Sequence, residues 1–148
     1  MSGALVDVPA VAALAGLAFD PHYREAWNAA QIAAVLAGPG GFLLLAPRPA
    51  PLAFALCRQV LDEVELLLCA THPGLRRTGL GRAMLAAVVA ATRTRGGSRL
   101  FLEVRASNTA ARALYAAIGM EQQGLRKSYY RSLSGEGIDA ITLGLALH

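Results

Sequence analysis

The sequence predicts a mixed α/β domain organised around one sheet, and three observations point there. Strand-like apolar runs and helix-period apolar runs alternate along the chain. Clusters of glycine and proline separate them. The resulting order, β-αα-βββ-α-β-α-ββ, contains no internal repeat and no linker. With 148 residues, 55% hydrophobic and 16% charged, the chain has the composition of a well-buried globular protein, and one domain over 1–148 is expected.

Taken in order, Leu5-Val6-Asp7-Val8 reads as a short strand. Pro9 suits the first turn of a helix through Val11, Leu14, Leu17 and Ala18, where its missing N–H costs nothing. Asn28 followed by Gln31 is a capping-box pattern and opens a second helix through Ile32 to Leu36, which Gly38-Pro39-Gly40-Gly41 stops. Phe42 to Ala46 and Leu52 to Leu61 read as strands joined by the turn-rich stretch Pro47 to Pro51. Glu63 to Thr71, with Leu66, Leu67 and Leu68 in succession, reads as a strand buried on both faces. From Gly79 the period turns helical, with Leu80, Met84, Leu85, Val88, Val89 and Thr92 on one broad face, until Gly96-Gly97. Arg99 to Val104 is a strand, unusual in carrying a charge, Glu103, within it. Ser107-Asn108 is a natural cap for a helix from Thr109 to Ile118 closed by Gly119. Gly124 to Arg131 and Ile138 to Leu147 form two last strands around the polar loop 132–137.

Composition excludes several classes. The longest apolar stretches fall far short of the roughly 20 residues that a membrane span requires, and the N-terminus lacks a basic start and an uninterrupted apolar core. Cys57 and Cys69 sit in apolar strand-like runs and read as reduced core thiols of a cytoplasmic protein. No H-E-x-x-H, C-x-x-C or histidine cluster suggests a metal site. The net charge of +4 is concentrated: the segment Arg76 to Arg131 holds eleven of the fourteen basic residues against Glu103 and Glu121, and so carries +9. Such a patch attracts polyanions. Aromatic residues for stacking bases are sparse in it, so no direct nucleic-acid contact is expected and a small polyanionic cofactor suffices.

The stretch Arg76-Arg77-Thr78-Gly79-Leu80-Gly81-Arg82 concentrates that chemistry. Glycines spaced G-x-G at the start of a helix let unpaired N–H groups approach a phosphate, and the arginines add bidentate partners. Two familiar nucleotide loops do not fit. A dinucleotide fingerprint needs a small residue where Met84 stands, and a P-loop beginning at Gly74 needs Lys and Ser/Thr where Leu80 and Gly81 stand.

The R-x-x-G-x-G turn, the run Leu102-Glu103-Val104-Arg105-Ala106-Ser107-Asn108, and Ala113-Leu114-Tyr115 followed by Gly119 resemble the GNAT N-acetyltransferases. With the pair Tyr129-Tyr130 and Asp139-Ala140-Ile141, they are similar to the RimI type, which acetylates the N-terminal alanine of a small-subunit ribosomal protein. The likeness covers about residues 60–147 strongly and the rest in pattern. It implies the GNAT fold, a central, mostly antiparallel sheet of six to seven strands flanked by about four helices. It implies acetyl-CoA as co-substrate without a metal, and a monomer whose partner is the acceptor protein's N-terminus. The pyrophosphate would lie on Arg76 to Arg82, the pantetheine arm along the backbone of Cys69, Ala70 and Thr71, and Asn108 would add a contact. Arg131 stands where the family commonly has proline, in a substrate-facing loop.

The resemblance assigns Glu103 as general base and Tyr115 as general acid. An α-amine with a pKa of about 7.7–8.0 needs only one nearby carboxylate to lose its proton. The leaving thiolate, whose thiol has a pKa near 8.5, is well matched to a tyrosine of about 10. On residue type alone, Glu103 reads first as a strand glutamate facing solvent or pairing with Arg105 or Arg112, and the lesser alternative for Tyr115 is a core tyrosine of an amphipathic helix. Trp27, Tyr129 and Tyr130 are weaker candidates for lining the acceptor, with His22 to Ala26 beside Trp27; Trp27 equally reads as a hydrophobic staple before Asn28. Cys69 could be imagined as an acyl-carrying nucleophile, but no neighbour in sequence supplies an activating base. The alternatives left open are an acetyltransferase acting on a small amine or a lysine side chain, and a non-catalytic module that binds CoA or the ribosome.

Overall fold

The computed structural model describes residues 2–19, 26–46, 52–75 and 78–147. Seven strands form one sheet: β1 (Ser2–Gly3), β2 (Gly41–Ala46), β3 (Ala53–Val60), β4 (Glu63–Thr71), β5 (Arg99–Arg105), β6 (Glu121–Arg131) and β7 (Gly137–Ala146). Four α-helices accompany them: α1 (Val8–Ala18), α2 (Ala29–Ala37), α3 (Leu80–Thr94) and α4 (Thr109–Ala117). The spatial order is β1-β2-β3-β4-β5-β7-β6. All neighbours are antiparallel except β4 and β5, which the α3 crossover makes parallel. Element order and sheet type therefore match the expected fold; the turn expected at Pro47 to Pro51 lies outside the described residues.

The opening strand is a correction. Leu5–Asp7 form one 3₁₀ turn and Val8 begins α1, while pairing to β2 is confined to Ser2 and Gly3. Asp7 decides this: its carboxylate accepts the Ala4 N–H at 2.8 Å and its own N–H donates to the Ala4 carbonyl at 2.9 Å. That local pairing outcompetes a ladder. The capping box at α2 is formed as read, with Gln31 N–H donating to Asn28 Oδ1 at 2.9 Å and Asn28 N–H to Gln31 Oε1 at 2.8 Å.

Each face of the sheet carries its own apolar layer. Helix α3 seats Met84, Leu85 and Val88 against Ala55, Cys57, Val64, Leu66, Leu100, Leu102 and Leu143, and α4 closes over the same layer through Leu114, Tyr115 and Ile118. Helices α1 and α2 seat Val11, Leu14 and Ile32 against Leu43, Leu45, Phe54, Leu56, Leu68 and Ala70. The alternation of β4 is interrupted once. Leu56 pairs with Leu68 and Cys57 with Leu66, so Leu67 is an extra residue in β4. This bulge sends Val64 and Leu66 to the α3 face but Leu68 and Ala70 to the α1 face.

Candidate active site

Strands β4 and β5 pair only at their starts, from Glu63 opposite Arg99 to Glu65 opposite Phe101. Beyond that the bulge at Leu67 turns β4 away, while β5 stays on β7 as far as Arg105 opposite Ala140. The two parallel strands therefore splay at their C-terminal ends, leaving the backbone N–H and C=O groups of alternate residues between Leu67 and Thr71, and between Leu102 and Val104, facing a gap. Such a crevice, at the carboxyl ends of parallel strands and flanked by the helices that follow them, is where α/β sheets hold ligands. An extended chain inserted there would find a ready-made edge.

Helix α3 opens onto this gap. Gly79, its N-cap, has φ +87°, a left-handed conformation that disfavours any side chain. Thr78 Oγ1 donates to the Leu75 carbonyl at 2.6 Å and secures the loop before it. The first turn, Leu80-Gly81-Arg82, has no side-chain cap and no acidic residue, and it carries a cation, Arg82, against the helix dipole. In contrast, Asn28 caps α2, and Asn108 caps α4 by accepting the Ala111 N–H at 3.2 Å. An anion would satisfy the open donors of α3 and the arginine together. A Cβ on Gly81 would stand 3.5 Å from both Thr71 Oγ1 and Leu114 Cδ2, which places that glycine between the end of β4 and α4. Arg76 and Arg77 lie outside the described residues.

The titratable candidates fall on opposite faces of the sheet. Tyr115 lies on α4, half-buried on the layer under α3 and α4. Glu103 alternates with Leu102 and Val104, which face that layer, so its carboxylate points to the other side. There it is largely covered, with 19% of its side chain exposed, and its Oε1 lies 3.2 Å from Arg126 Nη2. Of the partners read from sequence, Arg105 Nη1 donates to Ser107 Oγ at 2.6 Å and Arg112 Nη1 to the Ala106 carbonyl at 3.0 Å. Nothing local in the sequence signals Arg126, because β7 enters the sheet between β5 and β6.

The other candidates separate clearly. Tyr129 and Tyr130 form an edge-to-face pair with ring centroids 5.4 Å apart, and the Arg126 guanidinium lies 5.0 Å from the Tyr129 ring. Trp27 packs into the α1–α2 layer that holds Ile32, the geometry of a staple; His22 to Glu25 lie outside the described residues. His72, at the end of β4, is half-buried, and its Nδ1 accepts the Gly74 N–H at 3.0 Å. Burial pushes the Cys69 thiol up to about 12 and that of Cys57 higher still, so both remain protonated and poorly nucleophilic near neutral pH.

A cleft between two splayed parallel strands, an uncapped cationic helix start beside it, and a carboxylate and a phenol on opposite faces of the sheet have the chemistry to suit a phosphate-bearing, extended ligand. Residues 8–120 match the acetyltransferase (GNAT) family, and the chain belongs to that family. It is 43% identical over 95 residues to a ribosomal protein bS18-alanine N-acetyltransferase of Escherichia coli K12, an alignment that spans 64% of this chain and 64% of that relative. The crystal structure of the ribosomal-protein-S18-alanine N-acetyltransferase from Escherichia coli superposes with a TM-score of 0.89 at 33% identity, covering 99% of this chain and 91% of that one. A Salmonella typhimurium protein solved with its cofactor acetyl-CoA shares the fold, with a TM-score of 0.81 at 16% identity, covering 100% of this chain and 92% of that one.

Proposed function

We propose that this chain transfers the acetyl group of acetyl-CoA to a protein α-amine, the N-terminal alanine of a small-subunit ribosomal protein, by direct transfer. The likeness to the bS18-alanine N-acetyltransferase of Escherichia coli supports the acceptor. The observation that carries the chemistry is the splayed β4–β5 gap with Glu103 on one face and Tyr115 toward the other. When bound, acetyl-CoA supplies an acetyl thioester. Arg76, Arg77, Thr78, Arg82 and the N–H groups from Gly79 to Gly81 hold its diphosphate, Asn108 offers its side-chain amide, and Cys69 to Thr71 offer backbone groups along the gap. A backbone donor in that stretch is placed to receive negative charge on the reacting carbonyl.

Glu103 takes the proton of the attacking amine, directly or through water, and the Tyr115 hydroxyl gives its proton to the departing thiolate. On the face that holds Glu103, α1 and α2 pack on β2, β3 and β4, and the acceptor approaches beside them over β5 and β7, near Tyr129 and Tyr130. The protein works as a cytoplasmic monomer. Kinetics with an alanine-initiated peptide test the two roles. Glu103→Gln lowers kcat on the order of 10²-fold and Tyr115→Phe roughly tenfold or more, both with unchanged thermal midpoints. Wild-type rates in both folded variants overturn the assignment.

A further inference from the structure

The Glu103–Arg126 contact falls outside every role described so far, and its geometry is specific. Glu103 pairs with Thr142 and Arg105 with Ala140 across β5 and β7, while Gly124 pairs with Thr142 and Arg126 with Ala140 across β7 and β6. Glu103, Thr142 and Gly124 thus form one row on the face turned away from α3 and α4, and Arg105, Ala140 and Arg126 the next. The middle of the second row is an alanine and the far end of the first is a glycine. With so little side chain in between, the Arg126 guanidinium crosses β7 diagonally to the carboxylate, 3.2 Å away. Its own position is fixed from the far side by the Tyr129 ring, 5.0 Å from the guanidinium, and Tyr129 is held edge-to-face by Tyr130. A register shift in β6 between Arg126 and Tyr130 makes this stacking possible. Lys127, Ser128 and Tyr129 stand opposite the single Asp139, with Ser128 at φ +51° and its N–H donating to Asp139 Oδ1 at 2.9 Å. The distortion swings Tyr129 back over Arg126 and out of the regular alternation of the strand.

We propose that Arg126 is a positioning residue for Glu103, holding its carboxylate on the acceptor side of the gap, and that the bulge at Lys127 to Tyr129 exists to stack Tyr129 on that arginine. This rests on the reading of Glu103 as the base. A carboxylate at the end of a flexible side chain samples several rotamers, and proton transfer needs one of them. An arginine held on one side by an aromatic ring and offering an N–H on the other restricts that choice more than a lysine does. Arg126 is 57% exposed, so the contact adds little to stability, and its removal leaves the core intact.

A double-mutant cycle on kcat with an alanine-initiated peptide tests the inference. Arg126→Gln is expected to lower kcat roughly tenfold, a fraction of what base catalysis supplies, with KM for acetyl-CoA within about twofold of wild type and an unchanged thermal midpoint. Arg126→Lys, which keeps charge without the planar fork, recovers part of the loss. In a Glu103→Gln background Arg126→Gln has no further effect on kcat, because the group it positions is gone. Equal losses from Arg126→Gln in both backgrounds, or a change confined to the KM of the peptide, overturn the inference and leave Glu103 as base. Wild-type kcat in Glu103→Gln alone overturns the base reading and this inference with it.

Discussion

Gly81→Ala separates the ligand from the fold as the reason for the glycine-rich turn. Two glycines stand there for different physical reasons. Gly79 has φ +87°, whereas Gly81 is absent from the residues with positive φ and lies inside the first turn of α3. A methyl at Gly81 meets Thr71 Oγ1 and Leu114 Cδ2 at 3.5 Å, an ordinary van der Waals contact. Among the described residues nothing excludes alanine at Gly81, and replacing glycine at a compatible helical position stabilises by about 0.4–1 kcal/mol through the unfolded state. For a chain of this size that raises Tm by about 1–4 °C. Alanine at Gly79 must instead adopt the left-handed conformation, costing about 1–2 kcal/mol and lowering Tm by roughly 2–8 °C. Toward acetyl-CoA the two variants behave alike. The added methyl keeps phosphate from the helix-start N–H groups, and losing one or two charge-assisted hydrogen bonds of about 1.5–3 kcal/mol each weakens binding at least tenfold. Scanning calorimetry and titration calorimetry with CoA measure both quantities on the same samples. A Gly81→Ala protein that binds CoA as wild type does refutes the cradle, and one destabilised by more than about 1 kcal/mol refutes the account of the space around it.

Two further expectations concern the residues around the gap. Asn108 combines a helix cap with the proposed cofactor contact, and aspartate keeps the acceptor oxygen while losing the amide donors. Asn108→Asp is expected to hold its Tm while binding CoA more weakly, and Asn108→Ala to lose about 1 kcal/mol of stability as well; urea melts and CoA titration read the two apart, and equal stability losses in both variants contradict the assignment. Cys69 gives a pH dependence. Its thiol is raised to about 12 in the folded protein, so above the ordinary value near 8.5 the unfolded chain gives up that proton first. The contribution of Cys69 is fully present below about pH 8.5 and is lost as pH rises toward 12, by up to about 1.4 kcal/mol per pH unit. The stability difference between wild type and Cys69→Ala should shrink over that range in urea titrations, and a difference independent of pH contradicts the burial of the thiol.

The parts of the fold that sequence made legible are those decided by neighbours in the chain. The Asn28–Gln31 box, the Gly79 turn and the Asn108 cap are local devices, and each is found where its residues place it. Leu5 to Val8 misled because one aspartate side chain outbid the apolar pattern for the backbone of Ala4. Other features had no local signal. The bulge at Leu67 lies inside a continuous apolar run, and only the registers on β3 and β5 show that β4 changes faces and leaves β5. The residues proposed to hold the cofactor were nominated by contiguity, since the glycines and arginines follow one another from Arg76 to Arg82. The environment of Glu103 was not, since Arg126 reaches it across β7, which follows β6 in sequence but precedes it in the sheet.

The central claim is transfer to an α-amine at the β4–β5 gap, and the product of the reaction tests it most directly. Purified protein, acetyl-CoA and a peptide that begins with alanine and carries an internal lysine are combined, and the acetylated position is mapped by fragment mass spectrometry. The account predicts one acetyl group on the terminal amine, one CoA thiol released for each, and loss of product in Glu103→Gln. Acetylation of the lysine alone, or tight CoA binding with no acetylated peptide, contradicts it.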